Sequence, residues 1–225
     1  MSNLTHLWGI FLGTFIGLLP IINPLAAAPT FLAITEGDSD AHRRAQARKG
    51  CLYMVAILIS FLVGGTFIMG FFGISIPGLR IAGGILMTGI GMNMLATARG
   101  AATAADDERE AARRKADISF SPLAMPMLSG PGSIAVTIGF TSLAEDWLDY
   151  AGIIAGIVAV AVVTYLVLRV AGRIVRLIGP VGVNAMTKIM GFLIMCIGVQ
   201  FVVNGVLGIA TDPVLLRAIR AALGS

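Results

Sequence analysis

The chain has 225 residues, of which 57% are hydrophobic and only 12% are charged. Soluble domains carry roughly a quarter charged residues, so this composition excludes a water-soluble protein and predicts one bundle solvated by lipid. The net charge of +4 comes from basic residues between apolar runs, so we interpret it as membrane topology and expect no nucleic-acid partner.

Runs without Asp, Glu, Lys or Arg predict six membrane-spanning helices in an all-α bundle. In chain order the runs are Leu7–Thr35, Cys51–Leu79, Ile81–Ala98, Ile118–Ala144, Leu148–Leu168 and Ile189–Ala210, the fifth containing Asp149 near its edge. The first and fourth runs are longer than the ~20 residues that one membrane helix needs.

The two long runs each contain three prolines with the same spacing. They are Pro20, Pro24 and Pro29 in the first, and Pro122, Pro126 and Pro131 in the fourth. Proline inside a helix removes a backbone donor and clashes with the preceding turn. We therefore predict that the first and fourth helices are broken, with Pro20, Pro122 and Pro126 among the breaking residues.

Each proline triplet also contains a helix-start signal. Asn23 precedes Pro24, and Asn is a strong N-cap while Pro is favoured at the first helical position. Pro29 is an alternative start, because it is the counterpart of Pro131. In the fourth run Ser129 or Gly130 is the expected cap. A helix that restarts within the membrane leaves unpaired N–H groups, which are tolerated only where they line a cavity or bind a ligand.

Basic residues orient the predicted helices. They concentrate in the first, third and fifth loops: Arg43, Arg44, Arg48 and Lys49; Arg99, Arg109, Arg113, Arg114 and Lys115; and Arg169, Arg173, Arg176 and Lys188. The positive-inside rule therefore places these three loops in the cytoplasm and both termini outside.

The sequence predicts two matching halves. Residues 1–98 form the first three-helix repeat, 99–117 a charged cytoplasmic linker, and 118–225 the second repeat. Gly84, Gly91 and Ala98 recur every seven residues, as do Gly191, Gly198 and Gly205. Because each half has an odd number of helices, the second must be inverted, which gives a 3+3 inverted repeat of the kind found in transporters.

The membrane segments hold neutral polar residues at mid-depth and no charged ones. This absence argues against a strongly charged substrate. Buried amides are harder to satisfy in lipid than hydroxyls, so Asn23, Asn93 and Gln200 are candidate binding residues. The segments contain no base beside a nucleophile and no His/Cys/Asp cluster, so we expect neither an enzyme nor a metal site.

Three segments carry a resemblance to a known family: NPLAAAPTF, RIAGGILMTGIGMNML and SPLAMPMLSGPGS. They resemble signature segments of the MarC family of bacterial and archaeal membrane proteins, which includes small neutral amino acid transporters. The resemblance implies six spans, broken first and fourth helices, and a glycine- or alanine-sized substrate. Ala26 departs from the pattern, where Gly is expected.

Together these observations predict an inner-membrane transporter of small neutral amino acids that works by alternating access. The alternatives are an exporter of metabolites or drugs and a non-transporting membrane scaffold. No cofactor is expected, and the sequence leaves open both the coupling ion, H⁺ or Na⁺, and the oligomeric state. The candidate substrate-binding residues are Asn23, Pro24, Ala28, Pro29, Thr30, Asn93, Ser129, Gly130, Pro131, Gly132, Ser133 and Gln200.

Overall fold

The computed structural model describes residues 2–96, 117–141, 144 and 146–212. These residues form helices joined by short turns, and they include no strand. The all-α prediction is therefore confirmed for the described part of the chain. The predicted linker at 99–117 lies outside it, apart from Asp117.

The N-terminal half contains four helices: α1 (Ser2–Ile22), α2 (Pro24–Ile34), α3 (Asp40–Phe72) and α4 (Ile76–Ala96). Asn23 alone separates α1 from α2. Ser39 caps α3 by accepting a hydrogen bond from the His42 N–H. This helix therefore includes the charged segment that precedes its apolar run.

The C-terminal half contains a second set of four: α5 (Ser119–Leu128), α6 (Pro131–Phe140), α7 (Trp147–Arg169) and α8 (Ala171–Ala210). The hydrogen bonds of α5 have the wider π-helical spacing. Helix α8 bends at Gly179, where φ is 69° and ψ is 171°.

One predicted boundary is wrong. The uncharged run Cys51–Leu79 was expected to form a single helix, but α3 ends at Phe72 and α4 begins at Ile76. Gly73 adopts φ 64°, a left-handed conformation that favours glycine and ends the helix. The turn contains no charged residue, so a boundary drawn from charges alone could not detect it.

Five of the described helices are long and apolar enough to cross a membrane: Leu4–Ile22, Asp40–Phe72, Ile76–Ala96, Trp147–Arg169 and Val181–Ala210. The two shorter apolar helices are α2 and α6. Helix α2 follows the first break and α6 follows the second. Both are too short to span the membrane alone.

Helices α4 and α8 run antiparallel with their backbones in contact. A β-carbon on Gly84 would lie 2.5 Å from the Gly198 carbonyl oxygen, and one on Gly91 would lie 2.5 Å from that of Gly191. Any side chain at these positions would force the helices apart. The predicted glycine series therefore forms the closest helix contact described.

Two other long contacts are parallel. Along α1 and α7, Gly152 lies against Ile10 and Gly156 lies against Thr14, so both helices advance together. Helix α3 runs in the same way beside α5 and α6, as shown by two further pairs: Gly50 with Leu123, and Gly65 with Ile138.

The described core draws most of its residues from α1, α2, α3 and α7, with further buried side chains from α4, α5, α6 and α8. Its fully buried side chains include Leu18, Phe31, Met54, Leu58 and Ile157. Phe31 lies on α2, so this core fixes the helix that follows the first break.

Candidate functional site

The first break is a single residue. Asn23 is 6% exposed and has φ 45° and ψ 65°, a left-handed conformation that Asn adopts more readily than most residues. Its side-chain oxygen accepts a hydrogen bond from the Ala26 N–H at 3.3 Å. Pro24 occupies the first turn of α2, while Pro29 lies inside that helix. Pro24 rather than Pro29 therefore starts the second half-helix, and the alternative start is wrong.

The backbone hydrogen bonds continue across this first break. The Asn23 N–H donates to the Leu19 carbonyl at 3.0 Å, and the Ala27 N–H donates to the Asn23 carbonyl at 3.1 Å. The side-chain amide nitrogen of Asn23 is buried without a hydrogen-bond partner in the described structure. Pro20 lies inside α1. The chain thus bends sharply at Asn23 while leaving few backbone groups exposed.

The second break is longer and less regular. Within α5, Ser121 (φ −133°, ψ 122°) and Met125 (φ −127°, ψ 122°) are extended. Each precedes a proline, Pro122 or Pro126, and proline disfavours helical conformation in the residue before it. The Ser121–Pro122 peptide bond is cis. The two interruptions fall at Pro122 and Pro126, which the sequence predicts among the breaking residues.

Helix α6 begins without a side-chain cap. Gly130 is the N-cap residue and Pro131 is the first helical residue, as expected. The hydroxyl of Ser129 is 1% exposed and has no hydrogen-bond partner among the described residues. The N–H groups of Gly132 and Ser133 lie in the first turn, where a helix offers no acceptor. This helix start therefore presents donors and a positive dipole end.

Two hydroxyls after the second break are satisfied by their own helix. The Ser133 hydroxyl donates to the Gly130 carbonyl at 2.9 Å, and Thr137 donates to the Ser133 carbonyl at 2.7 Å. Such bonds are the usual state of Ser and Thr in apolar helices. Ser129 differs because its hydroxyl has no such partner.

The two breaks are close to each other. A β-carbon on Gly132 would lie 3.5 Å from Ile21, two residues before the first break, and 3.3 Å from Met87 of α4. The start of α6 therefore packs between the end of α1 and the middle of α4.

An open cavity of about 400 Å³ lies beside the second break. Met125, Ser129 and Pro131 contribute to its lining, together with Leu79 and Leu86 of α4. The volume falls at the lower end of the range for small-molecule pockets. None of the described residues that line it carries a charge. The arrangement suits a small uncharged or net-neutral ligand that contacts apolar walls and a few polar groups.

The remaining predicted residues fall into two groups. Ala28 is fully buried in α2, and Thr30 lies in the same helix. Asn93 and Gln200 are exposed on α4 and α8, and Gln200 donates a hydrogen bond to Asn204 of its own helix at 2.9 Å. Each amide lies two residues after a buried glycine, which places it on the opposite side of its helix. The structure therefore does not bring these two amides to the breaks.

Sequence reasoning missed the contribution of α4 to this site. Gly83 lines the cavity and is buried next to Gly84, and a β-carbon there would lie 2.8 Å from Ala135 of α6. Paired glycines allow one helix to approach two neighbours on different sides. The Gly83-Gly84 dipeptide was the available signal.

The start of α5 is anchored outside the membrane segment. Asp117 accepts hydrogen bonds from the Ser119 N–H at 2.9 Å and from the Ser119 hydroxyl, and Lys49 of α3 lies 3.1 Å away. These bonds, the Ser119 hydroxyl foremost, lower the pKa of Asp117 to about 2. The anchor ties the broken helix to α3. Among the residues described, no group of three or more His, Cys, Asp or Glu side chains could hold a metal ion.

Comparison with known proteins gives a consistent result. Residues 8–210 match the sequence model described as MarC family integral membrane protein. The chain is 40% identical over 202 residues to the "UPF0056 inner membrane protein MarC" of Salmonella typhimurium, covering 85% of this chain and 91% of that protein. The proteins of the same name from Citrobacter koseri and Escherichia coli O1:K1 are each 38% identical over the same shares. No solved structure matches the chain.

Proposed function

We propose that this chain, which belongs to the MarC family of integral membrane proteins, transports small neutral solutes, with small amino acids as the first class to test. The solute would bind between the two helix breaks. The proposal assigns no catalytic residue. The relatives of this chain are named inner membrane proteins, and the chain has several apolar helices of spanning length. We therefore place it in the bacterial or archaeal inner membrane.

Helix directions support the six-span, 3+3 inverted arrangement. If α1–α2 and α5–α6 each count as one crossing, six crossings alternate in direction. The first and fifth crossings then run in the same direction, and so do the second and fourth crossings. The third and sixth crossings run in opposite directions. The contacts of α1 with α7, of α3 with α5–α6, and of α4 with α8 have these directions. The basic residues then favour cytoplasmic first, third and fifth loops and external termini.

The observation that carries the proposal is the buried Ser129 hydroxyl. This hydroxyl has no hydrogen-bond partner in the described structure, and its residue lines the cavity at the uncapped start of α6. A buried polar group without a partner costs free energy of about 1–3 kcal/mol. A ligand that supplies the missing hydrogen bond recovers this cost.

The chemistry of the break favours a net-neutral solute with a carboxylate. The Gly132 and Ser133 N–H groups and the positive end of α6 suit a carboxylate oxygen. An ammonium group requires acceptors, which the carbonyl groups at the ends of interrupted helices provide. No charged side chain lines the cavity, so a ligand with a net charge would lack a counter-ion there.

Uptake into vesicles tests the proposal. The purified protein in proteoliposomes should accumulate radiolabelled glycine or alanine saturably, with separate arms that apply a proton gradient or a sodium gradient. Ser129→Ala should lower the initial rate about tenfold, the value of one lost hydrogen bond of ~1.4 kcal/mol. The matched control is Ser60→Ala, because Ser60 is exposed and bonds to its own helix.

Two results would oppose this proposal. The first is uptake of small neutral amino acids by wild-type vesicles that does not exceed the level of empty vesicles. The second is a Ser129→Ala variant that transports at the same rate as Ser60→Ala, which would move the binding position away from the second break.

A second function is favoured by the apolar walls of the cavity. Leu79, Leu86, Ile134 and Ile138 line it, which suits a larger and less polar solute than glycine. Export of apolar metabolites or drugs is therefore the alternative. Inverted vesicles loaded with competing apolar compounds distinguish the two functions. Solute transport that is inhibited by these compounds but not by alanine favours the exporter.

A non-transporting scaffold is less consistent with the described side chains. A scaffold with its breaks packed shut requires their polar groups to bond to one another. The Asn23 amide nitrogen and the Ser129 hydroxyl instead have no partners among the described residues.

A further inference from the structure

A second cavity, of about 400 Å³, lies at the basic end of the bundle, away from the helix breaks. It is formed where the α2–α3 turn meets the junction of α7 and α8. Its polar lining consists of five arginines and one acid: Arg43, Arg44, Arg169, Arg173, Arg176 and Asp40. Four of these five cationic side chains therefore have no balancing carboxylate in the lining.

A neighbouring cavity extends the same basic surface. It has a volume of about 380 Å³, shares Arg44 and Arg169 with the first, and adds Arg48 and Tyr165. The two cavities together present six guanidinium groups on α3, α7 and α8. A surface of this charge attracts anions over distances comparable to the Debye length of ~8 Å.

The arginines divide into structural and available groups. Arg43 donates to the Thr35 hydroxyl at 3.1 Å and to the Thr35 carbonyl at 3.0 Å, and it lies 3.5 Å from Asp40. Arg176 donates to the Gly172 carbonyl at 2.9 Å. These two therefore hold helix ends in place.

The other arginines of the larger cavity are available to a ligand. Arg44, Arg169 and Arg173 are exposed, and within the described ranges none of their guanidinium groups has a hydrogen-bond or ion-pair partner. A guanidinium group offers several N–H donors in a planar fork that matches the oxygens of a phosphate. These three side chains come from two separate parts of the chain, so the fold brings them together.

Apolar side chains continue from the arginines along α7. Val158, Val162, Leu166 and Val170 are 42%, 50%, 50% and 38% exposed. The first three lie on one side of α7 at intervals of four residues, Val170 follows the end of that helix, and Leu166 and Val170 line the cavity. The basic cavity thus adjoins an exposed apolar stripe, a surface suited to contact with lipid. A free phosphate ion would make no use of this stripe.

We propose that this cavity binds the headgroup of an anionic phospholipid. Arg44, Arg169 and Arg173 contact the phosphate oxygens, while an acyl chain lies along the Val158–Val170 side of α7. Arg43 and Arg176 maintain the shape of the site. The bound lipid links α3 to the α7–α8 junction, which are separate elements of the two halves. This proposal does not depend on the transported solute.

Native mass spectrometry of the detergent-solubilised full-length protein tests the site. The probes are phosphatidylglycerol and, as the zwitterionic reference, phosphatidylcholine. Arg169→Gln/Arg173→Gln should weaken phosphatidylglycerol binding about tenfold or more, from about 1 kcal/mol for each basic residue near an anionic surface. Phosphatidylcholine binding should not change. The charge-matched control is Arg109→Gln/Arg113→Gln, which removes two charges from the linker.

Further arms decide between explanations. Arg44→Gln should weaken phosphatidylglycerol binding in the same direction, and circular dichroism confirms that each variant is folded. Equal affinity of the wild type and the Arg169/Arg173 variant for phosphatidylglycerol would overturn the site. An equal loss of affinity in the linker control would show that the effect comes from net charge alone and would also overturn it. Displacement of the lipid by millimolar inorganic phosphate would identify a soluble phosphate as the ligand and overturn the lipid assignment.

Discussion

The two helix breaks share a proline spacing but differ in backbone structure. At the first, one residue bends the chain, caps the next helix with its own side chain and keeps the hydrogen bonds continuous. At the second, two residues inside α5 are extended, and the next helix starts at Gly130 without a side-chain cap. The first break resembles a built-in bend, whereas the second leaves donors and a cavity.

The residue before each proline explains the difference. Asn23 tolerates the left-handed conformation and supplies its own cap, so one residue completes the turn. Ser121 and Met125 adopt no left-handed conformation and cap no helix, and their backbone is extended before the proline. Proline alone does not interrupt these helices, since Pro20 lies inside α1 and Pro29 lies inside α2. The neighbouring residues determine whether the helix is interrupted and whether the interruption exposes polar groups.

The largest expected effect comes from filling the space between the two breaks. Gly132→Leu adds a side chain where a β-carbon already lies 3.3 Å from Met87 and 3.5 Å from Ile21. We expect solute uptake to fall below detection in proteoliposomes. The matched control is Gly89→Leu on α4, because a β-carbon there has no neighbour within 4 Å. Normal uptake by a correctly inserted Gly132→Leu protein would show that the breaks do not form one site.

A stability measurement separates a structural first break from a functional second break. Asn23→Ala loses the cap and places alanine in a left-handed conformation, so the free energy of unfolding should fall by about 2 kcal/mol. Asn23→Gly keeps the backbone freedom and should cost about 0.5 kcal/mol or less. Ser129→Ala should raise the free energy of unfolding by about 1 kcal/mol, because it removes a buried hydroxyl that has no hydrogen-bond partner. Reversible unfolding in mixed micelles measures all three.

Two outcomes of the stability measurement would contradict this difference between the breaks. If Asn23→Gly destabilises the protein as much as Asn23→Ala, the bend is not held by its left-handed conformation. If Ser129→Ala is the most destabilising of the three, the second break is the structural one.

The smallest expected effect is a pH dependence confined to the second break. The pKa of Asp117 is lowered from 3.8 to about 2, chiefly by the Ser119 hydroxyl, so its ionised form stabilises the start of α5. This contribution is present above pH 3.8 and is lost as the pH falls through about 2. The side chain is half exposed, so we expect less than ~1 kcal/mol.

Thermal unfolding of wild type and Asp117→Asn as a function of pH measures this contribution. The difference between them should be constant from neutral pH to about 4 and disappear at lower pH. A difference that persists at the lowest pH would assign the effect of the substitution to packing rather than to charge.

The sequence predicts the helix starts more completely than the site. Asn23-Pro24 and Gly130-Pro131 are local signals, since a cap and a first-turn proline act on their own backbone. Gly73 shows where this prediction fails. It lies in a turn without charged residues inside an apolar run, and helix boundaries drawn from charged residues cannot detect such a turn. Pro29 was the alternative start, taken from its place in the repeat, but the helix already restarts at Pro24, five residues earlier.

The candidate site depends on which sides of helices meet, and this is not local information. Asn93 and Gln200 have suitable chemistry, but they lie on the sides of α4 and α8 that face away from the glycine contact. Leu79 and Leu86 line the cavity although nothing in their own sequence context distinguishes them from other leucines. The residues beside each break were predictable, whereas the opposing walls required the fold.

The glycine contact between α4 and α8 is reciprocal. Gly84, the first of its series, lies against Gly198, the middle one of the other series, and Gly91, the middle one, lies against Gly191, the first. This is the form of an isologous interface, in which one self-complementary surface is used twice around a two-fold axis. Such a surface sets the register of α4 against α8 by backbone contact at four glycines. The relative position of these two helices therefore depends on small residues at fixed intervals, and not on any bond between their side chains.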